Sequence, residues 1–248
     1  MKTTTISSRL FILAIAFFSF SSTSYCQDQS ITNPDPNQLA FTNAANVFTL
    51  TGTLIDPNSK YRIDEHALLY PYWLKGVVNF SNGKQLRNID LAFNMISNEL
   101  YFKNNNRPNL FADTVRSFFI IDTLNGASDV TTFSNGYPDL GLLTDKSYYQ
   151  VITLGPVAHL LKYVSKKKRE SYQYGSASKI VYDVTEKLFV YNVKNKSLQP
   201  IKNTTASISR ALPMYANVLQ QSIGNKNEKH LTEEEIATAI RQVNDSKL

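Results

Sequence analysis

Apolar and polar residues alternate along most of this chain, and alternation with a period of two is the pattern of β-strands that bury one face. It is clearest after the Asn82-Gly83 pair, where Ile89, Leu91, Phe93 and Met95 fall on one face and Asp90 and Asn94 on the other. An Asn-Gly pair between two such segments is typical of a tight β-hairpin, whose type I′ turn needs positive φ at both central residues. The pattern predicts a hairpin centred on this pair, with the apolar face on a core.

Further alternating or continuous apolar segments predict the other strands of the same sheet. They are residues 47–54, 100–103, 115–121, 148–154, 157–164, 180–184, 188–193 and 198–201. Thr185-Glu186-Lys187 interrupts the alternation and predicts the turn of a second hairpin, between the strands at 180–184 and 188–193. Residues 47–202 are therefore predicted to form an antiparallel β-meander, which could curl toward a barrel.

Two segments between these strands carry turn residues instead of a sustained period. Pro71 argues against a regular central strand over residues 63–73, which are predicted to form an entry loop. Residues 123–146 hold three glycines and Pro138, and they predict a long loop with one short strand near Phe133.

The period changes to three and four after Asn203, which predicts helices over residues 203–248. Thr232 to Glu235 form a capping-box pattern, and the apolar residues of one helix face follow. Pro213 can occupy the first position of an earlier short helix. The predicted fold class is thus mainly β (α+β), with two or three short C-terminal helices on or beside the sheet.

Residues 1–26 are set apart from the fold because they have the pattern of an export signal. Lys2 and Arg9 give a positive start, and the apolar run over residues 10–20 is too short for a comfortable membrane span. The polar residues 27–46 are predicted to be a flexible leader. The sequence predicts an exported protein, periplasmic or extracellular, whose mature chain has no transmembrane segment.

Cys26 leaves two alternatives for the processing of this signal. It can occupy the −1 position of cleavage before Gln27, or it can become the acylated first residue of a lipoprotein. Thr23 and Tyr25 fit the lipoprotein pattern poorly, because that pattern usually has an aliphatic and a small residue there. Cleavage is the favoured alternative. It would remove the only cysteine of the chain, which excludes disulfides, a thiolate nucleophile and Cys-ligated zinc.

Composition is that of a folded, strand-rich globular protein, with 19% charged and 12% aromatic residues in a chain of 248. The formal net charge is +6, and Lys2 and Arg9 supply two of those charges, so about +4 remains after cleavage. In an exported protein, a mild basic balance favours an envelope lipid surface or polysaccharide as an anionic partner. An envelope protein is a further possible partner, and nucleic acid is not expected.

Asp64, Glu65 and His66 form the first candidate site, since acids and an imidazole are adjacent only there. Such residues can serve as ligands or as a general base. The competing interpretation is a solvated loop, because neighbouring residues in an extended chain point to opposite sides.

A run of four basic residues forms the second candidate site: Lys166, Lys167, Lys168 and Arg169. It could bind an acidic surface, with each charge contributing about 1 kcal/mol near anionic lipid. The competing interpretation is a solvated strand edge or hairpin whose lysines discourage strand-to-strand aggregation.

Tyrosines recur in the predicted strands and could form an aromatic platform for a sugar or peptide, although packing in the sheet is the favoured interpretation. They are Tyr148, Tyr149, Tyr172, Tyr174, Tyr182 and Tyr191.

Sequence motifs of common catalytic and cofactor sites are missing: the chain has no Gly-x-Ser-x-Gly elbow, phosphate-binding glycine loop, calcium loop or dinucleotide fingerprint. No cofactor and no metal site is predicted. Whether the protein is an enzyme stays open, with a non-enzymatic role favoured, because scattered carboxylate pairs cannot be found in a single sequence.

Several segments together resemble one family of exported proteins from Gram-negative bacteria. They are the Trp-Leu-Lys-Gly-Val-Val segment, the Asn-Gly turn, Asn-Ile-Asp-Leu-Ala-Phe-Asn, Asn-Glu-Leu-Tyr-Phe-Lys and Val-Arg-Ser-Phe, all within residues 72–121. The later order is also similar: a Tyr-Tyr strand, a lysine-rich stretch, a Tyr-rich hairpin and paired C-terminal helices. The resemblance rests on strand patterns, and it implies no activity for any residue.

These observations predict an exported envelope protein that acts as a non-enzymatic binding or structural module, through the sheet or an open strand edge. The alternative is a carboxylate-dependent hydrolase acting on envelope or dietary polymers. A hydrolase of that kind should show two carboxylates about 5 to 9 Å apart in a cleft. A binding module should instead show an exposed aromatic patch or an unpaired strand edge.

Overall fold

A computed structural model of the protein describes residues 52–54, 63–123, 129–172, 178–224 and 230–246. The predicted signal peptide over residues 1–26 and the leader over residues 27–46 lie outside the described residues, as does Tyr174.

Eleven strands form one sheet in which every neighbouring pair is antiparallel. In chain order the strands are β1 (Gly52–Leu54), β2 (Leu74–Phe80), β3 (Gln85–Asn94), β4 (Glu99–Asn104), β5 (Arg107–Phe111), β6 (Val115–Asp122), β7 (Asp129–Ser134), β8 (Tyr149–Thr153), β9 (Ala158–Ser171), β10 (Lys179–Asn192) and β11 (Ser197–Ile201). Their order across the sheet is β1-β5-β4-β3-β2-β6-β7-β8-β9-β10-β11. This confirms the predicted antiparallel, mainly β fold. Over the described residues the sheet is open, with β1 and β11 outermost, so the suggestion of a closed barrel is wrong.

Three short helices follow the sheet, as predicted: α1 (Thr205–Ala211), α2 (Ala216–Ile223) and α3 (Glu233–Asp245). Helix α3 begins with the predicted capping box, in which Thr232 and Glu235 each accept the other's backbone N–H. The helices pack on one face of β8–β11, where Leu160 and Val190 of the sheet meet Ile236 and Ile240 of α3. The apolar stripe of α3 is fully buried there, which explains why a 13-residue helix is stable at this position.

The Asn82-Gly83 pair does join two strands of a hairpin, β2 and β3, but its turn differs from the predicted type I′. Gly83 has φ +81°, whereas Asn82 is not among the residues with positive φ. The Gly83 amide donates to the Phe80 carbonyl (3.0 Å), and the Asn82 side chain accepts from the Lys84 amide (3.0 Å). The Asn82 side chain thus stabilises the turn through its own hydrogen bond, without a left-handed backbone.

The apolar face predicted for β3 lies on a core, as expected: Leu91 and Phe93 are almost completely buried. Phe93 packs with Phe118 of β6 and Phe133 of β7, with ring centroids 4.9 to 5.3 Å apart. Phe133 belongs to the short strand predicted within residues 123–146, which the structure shows as β7.

The second predicted hairpin is wrong, because Thr185, Glu186 and Lys187 lie in the middle of one continuous strand, β10. These residues are exposed and polar, and such a triplet in a sequence resembles a turn. None of them is a glycine, proline or asparagine, so nothing forces the chain to reverse there. Strand β9 is also longer than predicted and includes the whole basic run.

The predicted entry loop contains one short element, a 3₁₀ helix at Glu65–Ala67. A second 3₁₀ helix, Pro213–Tyr215, precedes α2, so Pro213 opens a helical turn as predicted. Within the described part of the chain, no helix is long and apolar enough to span a membrane.

Candidate functional site

Strands β9 and β10 extend together beyond the neighbours that flank them. On one side, β8 pairs only with residues 160–162 of β9. On the other side, β11 pairs only with residues 188–192 of β10. Residues 165–171 and 179–185 pair with each other and continue as a two-stranded segment, here called the arm. An isolated two-stranded ribbon is marginally stable in water, so the arm needs support from elsewhere.

The basic run lies on the arm and is divided between its two faces, because side chains alternate along a strand. Lys166 and Lys168 share one face, while Lys167 and Arg169 share the other. Arg169 forms an ion pair with Asp183 of β10, which reduces the net charge of that face. The four cations therefore do not act as one patch.

Support for the arm comes from the first candidate site, which packs against Lys166 and Lys168. The Lys166 ammonium group donates to the backbone carbonyls of His66 (3.0 Å) and Leu68 (2.6 Å). The Lys168 ammonium group lies 3.4 Å from a carboxylate oxygen of Asp64. The structure thus joins two candidate sites that are about 100 residues apart in the sequence.

Tyr182 of β10 completes this cluster. Its hydroxyl donates to the Asp64 carboxylate, and its ring lies 5.5 Å from the His66 ring. The Lys168 ammonium group also lies 5.7 Å from the Tyr182 ring centroid, within the range of a cation–π contact. We call the contacts among Asp64, His66, Lys166, Lys168 and Tyr182 the brace.

Local structure explains why Asp64 can serve in the brace. Asp64 is the N-cap of the first 3₁₀ helix, and its side chain accepts the His66 amide (3.1 Å). The cap fixes the carboxylate at the end of the helix, where it faces β9 and β10. Glu65 is exposed on the same turn.

Electrostatics make Asp64 a permanent acceptor instead of a proton-transfer group. Burial opposes its ionisation, but the hydrogen bonds from Tyr182, the His66 amide and Lys168 outweigh that effect and lower its pKa. The hydrogen bond to Asp64 raises the pKa of Tyr182, and burial lowers the pKa of Lys166. A carboxylate held ionised by three donors is poorly suited to accept a proton in catalysis.

Tyrosines of the predicted strands contribute to the packed interior, which was the favoured interpretation. Tyr149 is fully buried, and it packs with Tyr137 and Phe189 on the sheet face opposite the helices. Burial raises the pKa of both Tyr137 and Tyr149 to about 12. The favoured interpretation, packing, thus holds for these side chains, and Tyr172 is exposed.

The outer side of β10 along the arm carries backbone groups that face away from β9. The Lys166 amide donates to the Met95 carbonyl (3.1 Å), so it points away from Val184, its opposite residue on β10. In an antiparallel ladder, opposite residues exchange both of their hydrogen bonds or neither. The N–H and C=O of Val184 therefore also point away from β9. By alternation the same holds for Ile180, Tyr182 and Glu186.

Among the described residues, no strand pairs with this outer side of β10 before Leu188. We call residues 180–186 the free edge. Two of its aliphatic side chains are unusually exposed, at 49% for Ile180 and 54% for Val184. Sequence reasoning missed this edge because it divided β10 into two strands. The signal that could have found it is the exposed polar triplet 185–187 without any turn residue.

A cleft of about 530 Å³ lies where the free edge meets the end of β11. Charged residues line it, including Glu186 and Lys187 of β10, and Leu188 and Ile201 add apolar surface. An ion pair between Lys162 and Glu233 of α3 (2.9 Å) closes one side.

The chain has no match among protein families, curated proteins or solved structures. Over the described ranges, no three or more His, Cys, Asp or Glu side chains come together as a metal site.

Proposed function

We propose that the protein is an exported, non-enzymatic binding module of the cell envelope, and that the free edge of β10 is its recognition element. The observation that carries the proposal is a run of four residues whose backbone N–H and C=O groups face outward beside exposed Ile180 and Val184. An extended segment of a partner can add to such an edge as a further strand. Backbone hydrogen bonds then supply affinity, and alternate side chains supply specificity.

The brace supports this role because it holds the edge in place before binding. A flexible two-stranded arm would lose conformational entropy when a partner docks, and that loss would weaken binding. Contacts from Lys166, Lys168 and Tyr182 to the first 3₁₀ helix fix both strands of the arm in the free protein. The partner then meets an edge that is already ordered.

The contacts of the Asp64 carboxylate support a binding function more than a hydrolase. A hydrolase that works through carboxylates needs a second acid about 5 to 9 Å from the first, across a cleft. The groups that hold the Asp64 carboxylate are a phenol, a backbone amide and an ammonium group. These contacts suit a structural carboxylate. The export signal over residues 1–26 and the envelope location stay predictions from the sequence.

Photo-cross-linking in the producing cells tests the proposal. A photo-reactive amino acid at Ile180 is expected to form protein adducts, whereas the same group at exposed Thr238 on α3 is not. Val184→Pro should abolish the adducts, because it removes an N–H that faces a partner and leaves the bonds to β9 intact. Val184→Thr keeps that N–H and the branched shape, so its adducts should persist. Equal labelling from positions 180 and 238 would contradict the proposal.

A further inference from the structure

We infer that the strand received by the free edge is the free edge of a second copy of this chain, paired in a register centred on Tyr182. The inference rests on the binding role proposed above and names the partner. Two copies related by a two-fold axis perpendicular to the sheet would join their arms into a continuous antiparallel sheet.

Geometry restricts how two such edges can pair. Backbone groups that face outward must lie opposite groups that face outward, so even-numbered residues of β10 must meet even-numbered residues of the second copy. The register can therefore slide only in steps of two residues. Within the edge, this leaves few two-fold registers, centred on or near Tyr182.

Side-chain complementarity selects the register centred on Tyr182. There Ile180 lies opposite Val184 of the second copy, and Val184 lies opposite Ile180. Both exposed aliphatic residues of the free edge are then covered by each other, and cross-strand aliphatic pairs stabilise a sheet. On the other face, Lys179 lies opposite Thr185 and Val181 lies opposite Asp183, so no like charges meet.

The neighbouring registers are less favourable. Centring the pair on Asp183 would place Asp183 opposite its own copy and Lys179 opposite Lys187, and like charges directly opposite each other are destabilising. Centring the pair on Val181 would place Val184 opposite Ser178, which leaves Val184 without an apolar partner. Only the register centred on Tyr182 pairs Ile180 with Val184.

The lysine run does not prevent this pairing. Lysines on an outermost strand discourage edge-to-edge contact, but Lys166, Lys167 and Lys168 lie on β9, one strand inward. The outward-facing residues of β10 are Ile180, Tyr182, Val184 and Glu186, and only Glu186 is charged. A contact formed by one strand from each copy is small, so dimerisation is expected to depend on concentration.

Disulfide trapping tests the register in the purified chain from Gln27 onward, which contains no native cysteine. Ile180→Cys and Val184→Cys chains, each carrying a different tag, should form a mixed disulfide when combined, while each chain alone should form little. Opposite residues of a hydrogen-bonded pair lie about 5.5 Å apart at Cα, within reach of a disulfide. Ile180→Cys with Glu186→Cys is the matched control, and it reports the register centred on Asp183.

A second measurement removes the dependence on cysteine chemistry. In analytical ultracentrifugation at increasing concentration, the unmodified protein should shift toward a dimer. Val184→Lys should lose that shift and keep the same circular dichroism and melting temperature, since Val184 is exposed. Trapping of the 180–186 pair instead of the 180–184 pair, or a monomer at all concentrations, would overturn the inference.

The outcomes separate this inference from the proposed function. If position 180 forms adducts in cells with a different protein while the purified chain stays monomeric, strand addition holds and the second copy is wrong. If position 180 forms no adduct with any protein, the binding role itself fails. Adducts of twice the chain mass, together with the mixed disulfide, support both the binding role and the second copy as the partner.

Discussion

Asp64 joins two segments of the chain through three hydrogen-bond donors on one carboxylate. The Tyr182 hydroxyl, the His66 amide and the Lys168 ammonium group all donate to it. The side chain is 31% exposed, so solvent reduces the contribution of the ion pair, and the hydrogen bonds to the charged oxygen atoms matter more. Removing the carboxylate should therefore loosen the arm without unfolding the sheet.

Asp64→Ala is expected to lower the free energy of unfolding by about 1 kcal/mol, because it removes the acceptor of these bonds. Amide hydrogen exchange should accelerate within the arm, at residues 166–171 and 179–184, and stay unchanged in β2–β6. Glu65→Ala is the control, since Glu65 is exposed on the same turn. Identical exchange of the arm in the two variants would show that the brace does not order it.

The lowered pKa of Asp64 predicts how the brace depends on pH. In the folded protein the pKa of Asp64 is lower than its ordinary value of 3.8, which applies in the unfolded chain. Its contribution to the free energy of unfolding is therefore full above that value and is lost as pH falls through the lowered pKa. Urea denaturation of the protein and of Asp64→Asn should differ near neutral pH and converge in acid. A difference that persists unchanged in strong acid would rule out the charge as its source.

Gly76 lies opposite a bulge in β3, where Asn88 is the extra residue and the register with β2 shifts between Gly76 and Val77. A Cβ atom at this position would overlap the carbonyl oxygen of Phe119 and the Leu91 side chain. Gly76→Ala is expected to destabilise the fold by about 2 kcal/mol, since overlap in a packed core forces neighbours to move. Gly141→Ala provides a contrast: space there is open, and only its φ of +62° is unfavourable. Thermal melting should therefore give a lower melting temperature for Gly76→Ala than for Gly141→Ala.

At the scale of elements, α3 is attached to the sheet by one side chain as well as by its apolar stripe. The Asn244 side chain accepts the amides of Val157 (3.0 Å) and Ala158 (2.8 Å), and it donates to the Ala158 carbonyl (2.9 Å). Gly155 lies directly against it, and any larger side chain there would overlap Asn244. These bonds satisfy backbone groups at the start of β9 that would otherwise lack partners.

Asn244→Ala should therefore cost about 2 kcal/mol of the free energy of unfolding, since it leaves two amides and a carbonyl unsatisfied. Asn244→Asp keeps the acceptor and loses only the donor, so an intermediate cost is expected. Chemical denaturation of the three proteins measures this order. Equal stability of all three would show that water replaces the side chain at no cost.

Sequence patterns predict an element well when its signal is local. The capping box at Thr232 and the apolar face of β3 depend on neighbouring residues, and both were predictable. Strand β10 was not, because its middle is solvated on one edge and its polar triplet interrupts the apolar alternation. Whether a neighbouring strand covers the edge of β10 depends on where β11 ends in the folded sheet, and the sequence of β10 alone does not indicate that.

At the scale of the whole molecule, the candidate site was predictable by residue type and unpredictable as an assembly. Both candidate segments were found from adjacent charges, yet nothing in either indicates the other, since about 100 residues separate them. Tyr182 lies half-buried in the sheet, as expected, but its bond to Asp64 could not be predicted. Long-range pairing depends on how far β9 and β10 continue past their neighbours, which is a property of the folded sheet.

The attachment of α3 through Asn244 also determines which part of the fold can be completed last when the chain is synthesised from its N-terminus. Asn244 and Ala158 are 86 residues apart, so β9 emerges long before the side chain that satisfies its first amides. Until α3 is added, α1 and α2 cover the apolar face of β8–β11 only in part. Among the described helices, α3 is therefore the last to complete the cover of this face.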